Sequence, residues 1–479
     1  LPVLAAAILF IGASISRAAP FAIQGPGVNP ADFRLTTFAA GLSHPLGMAE
    51  LADGSLLLAV SRGSSFWNSV GEIIRLVDTN KDGVADGPGV VLYTGLPGGQ
   101  TSLRIGGNLI FVTGQGAGKP ITILRAGATP GDPLTRIGAI NINYPGGSWS
   151  HPHSALGIRA SPGRPGSFDL LFQLGSKANF APTTATATLS NDQVPGASGT
   201  LEGDSIYLLT ISDQPPGVTA SNLTRLARGL RNPAGFAFQP ATGDLYFEDN
   251  GIDGLVNVNE PTSADELNRI PAADIGGNVE DFGFPNNYTA YRTGTRVGGA
   301  GIQPLIAFQP LPDPQNGSES EGPNDIAFAP RAFPSELNRG IFIGFHGRFS
   351  AGGLANEENP LVYADPTTGQ YFHFIGNNEA GVGHLDGLLA TADSLFIADL
   401  APQGDLGSSG GTGVVYQLKS LASPTLSFRR VDDALELTWA FGTLQSTDGL
   451  SGMWNDVGNA VSPQTVQLDQ AAVFYRVSN

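Results

Sequence analysis

Three stretches bring together side chains suited to chemistry. In Asp78-Thr79-Asn80-Lys81-Asp82-Gly83-Val84-Ala85-Asp86, oxygen donors fall at positions 1, 3 and 5, a glycine turns the chain at 6, and a carbonyl and a carboxylate follow at 7 and 9. That is the pattern a calcium ion requires of a short loop. Asp78, Asn80, Asp82, the Val84 carbonyl and Asp86 are the expected ligands, against the plainer reading of an Asp/Gly turn without an ion. No Glu stands at position 12, so the ion is expected to bind modestly and to staple a loop rather than enter a reaction. Trp149-Ser150-His151-Pro152-His153-Ser154 offers two imidazoles just ahead of an apolar run, Ala155 to Ile158. An imidazole neutral near pH 7 suits general-base work, with a structural pair or a metal site as competing readings. Arg231 and Asn232 set a fixed charge beside an amide. Such a pair can hold an anionic or carbonyl edge, or more plainly tie neighbouring elements through backbone carbonyls.

These stretches lie where strands give way to loops. Around Arg231, a Gly-Leu-Arg-Asn-Pro corner runs into Phe236 and Phe238, a Pro/Gly turn, a second apolar strand (Leu245, Tyr246, Phe247) and an acidic loop. Two short strands and a tight turn make half a β-propeller blade, with the polar residues delivered to a central channel. Loose copies of the unit occur at 42–60, 103–114, 156–175, 236–251, 325–347 and 385–400. Six copies predict six blades. With 65 Gly and 35 Pro in 479 residues and no long amphipathic helical pattern, the expected fold is all-β, a six-bladed propeller over 30–420. Residues 178–203, rich in Thr, Ala, Ser and Gly, are expected to interrupt the third unit as an exposed loop, and the acidic loops 313–324 and 350–360 to share one rim. Beyond Lys419-Ser420, residues 424–479 alternate apolar and polar, which predicts a small sandwich-like antiparallel β-module that leans on the propeller.

The formal net charge of −17 argues against any phosphate-backbone partner, so nucleic acid is excluded. The absence of Cys removes disulfides, thiol catalysis and zinc–thiolate sites together. Residues 1–20 read as the hydrophobic part of a secretory signal missing its start, with an apolar core too short to cross a bilayer easily. The expected location is secreted or periplasmic, with no transmembrane anchor after signal removal.

Arg231-Asn232-Pro233, Gly235-Phe236-Ala237-Phe238, Asp249-Asn250-Gly251, Asp265-Glu266-Leu267-Asn268 and Phe282-Gly283-Phe284-Pro285 together resemble the glucose/sorbosone dehydrogenase family. The likeness is good over this blade, partial over 35–420 and absent beyond. It implies a six-bladed propeller that binds pyrroloquinoline quinone (PQQ) with calcium and oxidises sugars. It implies His151, five residues before Leu156, as the base that takes a sugar hydroxyl proton while hydride leaves for the quinone; a two-residue change of register would substitute His153. Arg231 and Asn232 match the cofactor-facing pair, the carbonyls of Gly251 and Ile252 the ligands of the cofactor's calcium, and Gln100 a cofactor-contacting glutamine. Lys177, Arg348 and Lys119 are the cations at plausible channel positions. Two departures stand out: Ser150 replaces an acid of the family pattern, and the sixth unit through Asp399 has no Lys or Arg to neutralise the carboxylates of PQQ. His346, His384 and Asp386 have no family counterpart.

The expected function is an exported PQQ- and calcium-dependent dehydrogenase that oxidises an aldose or related sugar alcohol and passes electrons to an acceptor that the sequence does not name. A calcium-dependent lactonase or esterase and a non-catalytic carbohydrate-binding propeller are the alternatives, since a fold hosts many functions.

Overall fold

The computed structural model describes residues 19–449, 452–467 and 473–478; residues 1–18, and with them nearly all of the expected signal, lie outside it. Short β-strands separated by Gly-, Pro- and Asp-rich turns pair almost wholly antiparallel, and six of the sheets they form are the blades of a ring. Blade one comprises Met48–Glu50, Leu56–Arg62, Val70–Leu76 and Val90–Pro97, and blade two begins with Gln100–Gly106, Leu109–Gly114, Ile121–Arg125 and Thr135–Asn143. Blade three is built on Leu156–Ala160, Ser167–Leu174, Ser205–Gln214 and Gly217–Arg228; blade four on Pro233–Phe238, Leu245–Asp249, Asp265–Ile270 and Ile306–Phe308. Blade five holds Pro323–Phe328, Ile341–Phe345, Leu361–Asp365 and Gln370–Ile375. Blade six joins Gly387–Ala390, Ser394–Asp399 and Gly413–Ser420 to the early strand Phe33–Leu42, which pairs from Phe33 opposite Ser420 to Leu42 opposite Gly413. The first strands of the six blades neighbour one another in order and the last neighbours the first, so the ring is closed around one axis.

The second strand of each blade is buried on both faces, which explains its continuous apolar runs. Because successive side chains point to opposite faces of a strand, one strand feeds two cores. Leu109 and Phe111 face blade three while Ile110 and Val112 face blade one. In the same way Phe172 packs toward blade two and Leu171 toward blade four, and Phe247 toward blade three while Tyr246 faces blade five. Every main core therefore lies between two consecutive blades.

The expectation of an exposed loop at 178–203 is corrected. Thr186–Asp192 pairs with Thr135–Asn143, and Gly199–Glu202 pairs with it in turn, extending blade two to six strands. Ala187, Leu189, Val194, Ala197 and Leu201 are buried between blades two and three. The strand reads Thr-Ala-Thr-Leu-Ser, a period-two alternation muted by small side chains.

At the C-terminal end, Leu426–Val431, Ala434–Trp439 and Gln464–Gln467 form one three-stranded sheet, and Asn455–Asp456, Thr443–Thr447 and Phe474–Ser478 another. Leu437, Trp439 and Leu444 are the buried centre of this module. Trp439, Phe441 and Val461 share a 680 Å³ cavity with Phe238, Phe328 and Ala390 at the ends of the first strands, so the module stands over one mouth of the ring.

Leu189→Ala is expected to cost about 2–5 kcal/mol in chemical denaturation, the ordinary penalty for a truncated core leucine. An effect within about 0.5 kcal/mol, usual at exposed positions, would return this segment to the surface.

Candidate functional site

At the other mouth, each blade presents a corner just before its first strand and a polar step just after its second. Carboxylates and amides buried in the second strands clamp the corners. Asp249, closing Leu245–Asp249, accepts from the backbone amides of Arg231 at 3.0 Å and Asn232 at 2.7 Å. Asp399 does the same in blade six for Gly383 at 2.8 Å and His384 at 2.9 Å. Gln173 Oε1 takes the Ser154 and Ala155 amides in blade three, both at 3.2 Å. Burial pushes the Asp249 carboxyl up, while the two amide donors act the other way. Asp265 bridges two blades, accepting from Gly251 at 2.6 Å and Gly322 at 3.0 Å, and burial pushes its carboxyl up to about 6.

The clamped corner of blade four borders a 360 Å³ cleft bounded by His151, Arg231, Asn232, Asn250, Gly251, Asp265, Tyr291, Glu321 and His346, among others. That volume lies in the range of small-molecule sites, roughly 300–1,000 Å³.

The structure separates the two histidines. His151 Nδ1 lies 2.8 Å from Ser176 Oγ and 3.2 Å from the Ser176 carbonyl. The Ser176 hydroxyl donates its own proton to the Ala178 carbonyl at 2.7 Å. Both oxygens near Nδ1 are therefore acceptors, so Nδ1 carries the proton and the lone pair resides on Nε2. Burial, helped by the charge of Arg231, lowers the imidazole pKa to about 3. His153 is 1% exposed and uses both nitrogens, Nδ1 with the Tyr144 hydroxyl at 2.7 Å and Nε2 with the Lys119 carbonyl at 2.7 Å. A ring with no free nitrogen is a strut, and His153 drops out as the rival base.

Arg231 is a cleft residue with a side chain only 4% exposed. Its guanidinium holds Asn179 Oδ1 at 2.9 Å and 3.1 Å and pairs with Asp253 at 2.6 Å. Asn232 lies beside it, its carbonyl receiving the Asn250 side chain at 3.2 Å. Gly251 lines the cleft as well. Ile252 is corrected as a calcium ligand: its carbonyl already accepts from the amides of Thr262 at 2.8 Å and Ser263 at 3.3 Å, which fills both lone pairs.

Other expected contacts are not gathered here. Gln100 is buried where its amide donates to the Pro97 carbonyl, away from the cleft lining, and Gln115 lines the cleft instead. Lys119 donates to the Gly98 carbonyl, and Lys177 holds Ser150 through its own carbonyl at 3.0 Å. Arg348 pairs with Glu358 at 2.7 Å in an adjoining groove. His384 is a strut between the His346 carbonyl at 2.9 Å and the Gly404 carbonyl at 3.3 Å. His346 stacks on Phe349, ring centroids 4.2 Å apart, and Asp386 is buried with Oδ1 unpartnered. Sequence reasoning missed Gln115, Tyr291 and Glu321 as cleft residues. The signal for Gln115 was its place one step beyond the buried strand Leu109–Gly114.

The charge of the cleft tests the cofactor. Asp253, Asp265 and Glu321 line it against one guanidinium, itself paired. The Asn232 amide and the Arg231 guanidinium can donate to a quinone edge and the Gly251 carbonyl can take a cation; a molecule with three carboxylates fits this lining only together with that cation. In blade one, the expected ligands of the 78–86 loop bond to the loop's own backbone: Asp78 accepts from the amides of Asp82 at 3.1 Å and Gly83 at 2.8 Å, and Asn80 Oδ1 from Asp82 at 3.0 Å. Asp86, at position 9, takes the Thr79 amide at 2.9 Å.

No family model matches this sequence. An uncharacterized curated protein of Borreliella burgdorferi is 30% identical over 145 residues, 29% of this chain and 32% of its own length, so the match spans about a third of that relative. Among solved structures, the iodide structure of a Trichoderma reesei carbohydrate-active enzyme of family AA12 superposes with a TM-score of 0.52 at 18% identity, covering 82% of this chain and 97% of that one. The holo form of the PQQ domain of pyranose dehydrogenase from Coprinopsis cinerea gives 0.50 at 14% identity, over 84% and 98%. The chain is thus a six-bladed propeller of the fold shared by these carbohydrate-active and PQQ-binding domains.

His153→Ala is expected to lose about 1–3 kcal/mol in denaturant, leaving Tyr144 and the Lys119 carbonyl unpaired, whereas His151→Ala should lose less. Asp82→Ala should lower the melting temperature in calcium and leave it nearly unchanged in chelator, because an ion that binds only the folded state stabilises only that state. Equal melting of variant and parent in calcium would remove the loop from the list of ion sites.

Proposed function

We propose that the protein is an exported, PQQ- and calcium-dependent dehydrogenase that oxidises an aldose or related sugar alcohol. The observation that carries this reading is His151, whose proton is fixed on Nδ1 by Ser176 and whose Nε2 is free at the wall of a cleft shared with Arg231 and Asn232. When bound, the quinone supplies the two-electron acceptor. His151 takes the proton of the sugar hydroxyl at Nε2, and the Ser176 contact keeps the ring in the productive tautomer. Arg231 and Asn232 orient the cofactor edge, and the Gly251 carbonyl is one ligand of its calcium. Burial is the larger cause of the low His151 pKa and the charge of Arg231 the smaller, so His151 stays a weak, neutral base with a ligand in the cleft. Export rests on residues 1–20, and no helix among the described residues is long and apolar enough to cross a membrane. The acidic cleft favours a second reading, calcium-dependent hydrolysis of a lactone, in which the cation rather than a quinone polarises the substrate.

The test titrates chelator-stripped protein with PQQ and excess Ca²⁺, follows the quinone absorption, and then adds aldoses with an artificial electron acceptor. Saturable binding followed by sugar-dependent reduction is expected, with His151→Ala lowering turnover by about 10²–10⁴ while quinone binding persists. Failure of PQQ to bind, with chelator-sensitive lactone hydrolysis in its place, selects the second reading. Because His151 stays neutral down to acid pH, kcat/KM should be flat from pH 8 to about pH 5. An acid limb near pH 6.5, the ordinary histidine value, would show a solvated imidazole or a different base.

A further inference from the structure

The loop before the first strand of blade five and the loop after its second bring three carboxylates together. Glu319 and Glu321 precede Pro323–Phe328, Glu358 precedes Leu361–Asp365, and one oxygen from each lies within 4.8 Å of the others. Two of them have an arginine on the outer side: Glu319 meets Arg292, and Glu358 meets Arg348 at 2.7 Å. Glu321 has none among the described residues, and its Oε1 is buried without a hydrogen-bond partner. Burial, with the charges of Glu358, Asp265 and Glu319, pushes the Glu321 carboxyl well above the usual range. Such crowding of like charges is relieved either by a shared proton or by a cation.

A second observation favours the cation. Tyr291 is 2% exposed, lines the cleft, and its hydroxyl has no partner. The charges that act on it most strongly are those of Glu321 and Glu319. Tyr291 and Glu321 line the same cleft, so a cation held there would offer the unpartnered hydroxyl oxygen the partner that a proton shared among the carboxylates would not. Access is open, since Glu321 borders both the 360 Å³ cleft and the adjoining 560 Å³ groove that contains Arg348 and Glu358.

We propose that Glu319, Glu321 and Glu358, with the Tyr291 hydroxyl, bind a calcium-type divalent cation at the wall of the cleft. Hard, mobile oxygen donors suit Ca²⁺, which takes 6–8 oxygens, so four protein donors leave positions for water or for hydroxyl or carboxylate oxygens of a ligand in the cleft. The site is built on residues other than the 78–86 loop in blade one and the Gly251 carbonyl, and it stands whether or not the dehydrogenase reading does.

The test uses the full chain carrying Asp82→Ala, which silences the loop. Calorimetry with Ca²⁺, run without PQQ so that no cofactor calcium is held at the Gly251 carbonyl, should show one ion bound, and Glu321→Gln should weaken it at least tenfold, while Glu436→Gln on the C-terminal module changes nothing. Tb³⁺ should displace the Ca²⁺ and luminesce when tyrosine is excited, and Tyr291→Phe should remove that emission. In chelator, Glu321→Gln should melt no lower than its parent because it relieves repulsion, which separates a lost ion from a damaged fold. Absence of Ca²⁺ and Tb³⁺ binding, or unchanged binding by Glu321→Gln, would overturn the proposal in favour of a shared proton.

Discussion

A buried carboxylate that holds two consecutive backbone amides is the constraint on which the functional face depends. Asp249 fixes the amides of Arg231 and Asn232, and with them the direction in which both side chains leave the corner. Taking a carboxylate out of water is costly, and charge-assisted bonds to amides are among the few ways to offset that cost. Asp399 repeats the device at Gly383 and His384, and Gln173 achieves a neutral version at Ser154 and Ala155. The corners therefore cannot drift independently of the strands behind them, and the cleft inherits the rigidity of the interblade cores.

The architecture was legible because its signal is repeated. Each second strand is an apolar run that must feed two cores, and six such runs at irregular but recognisable spacing point to a ring. The ribbon at 186–202 escaped because Thr, Ala and Ser carry the alternation with little contrast; only Leu189 and Leu201 announce it. The site was legible in part for a similar reason. Arg231, Asn232 and Gly251 belong to one continuous corner-and-strand motif, so a local pattern finds them. The choice between His151 and His153 needed the hydrogen-bond network, since Ser176 and Tyr144 lie at different distances along the chain. Gln100 and Gln115 both adjoin Gly, and nothing local tells that one is tucked between blades while the other faces the cleft. Glu321 and Glu358 meet only because two loops of blade five fold back on each other.

Electrostatically the ring is one-sided. Glu248 is fully buried with neither carboxylate oxygen partnered, and the charges of Asp325, Asp265 and Asp386 join burial in raising it. Arg104 answers Asp325 at 2.7 Å. An interior so rich in acids selects protons and divalent cations over anions, and any anionic ligand must arrive with a cation or find one there.

The seam of the ring lies in blade six, where Phe33–Leu42 completes a sheet whose other strands come some 350 residues later. Blade one reaches over to that seam: the Phe38 carbonyl accepts the Ala85 amide at 2.8 Å, Arg34 donates to the Lys81 carbonyl at 3.0 Å, and Thr36 to the Gly83 carbonyl at 2.5 Å. Phe33–Leu42 finds its ladder partner only when Gly413–Ser420 is in place, so closing the ring is a long-range contact with a large loop-closure cost. The 78–86 loop thus ties the early strand to blade one as well as to blade six, so a change in that loop is felt at the seam of the ring.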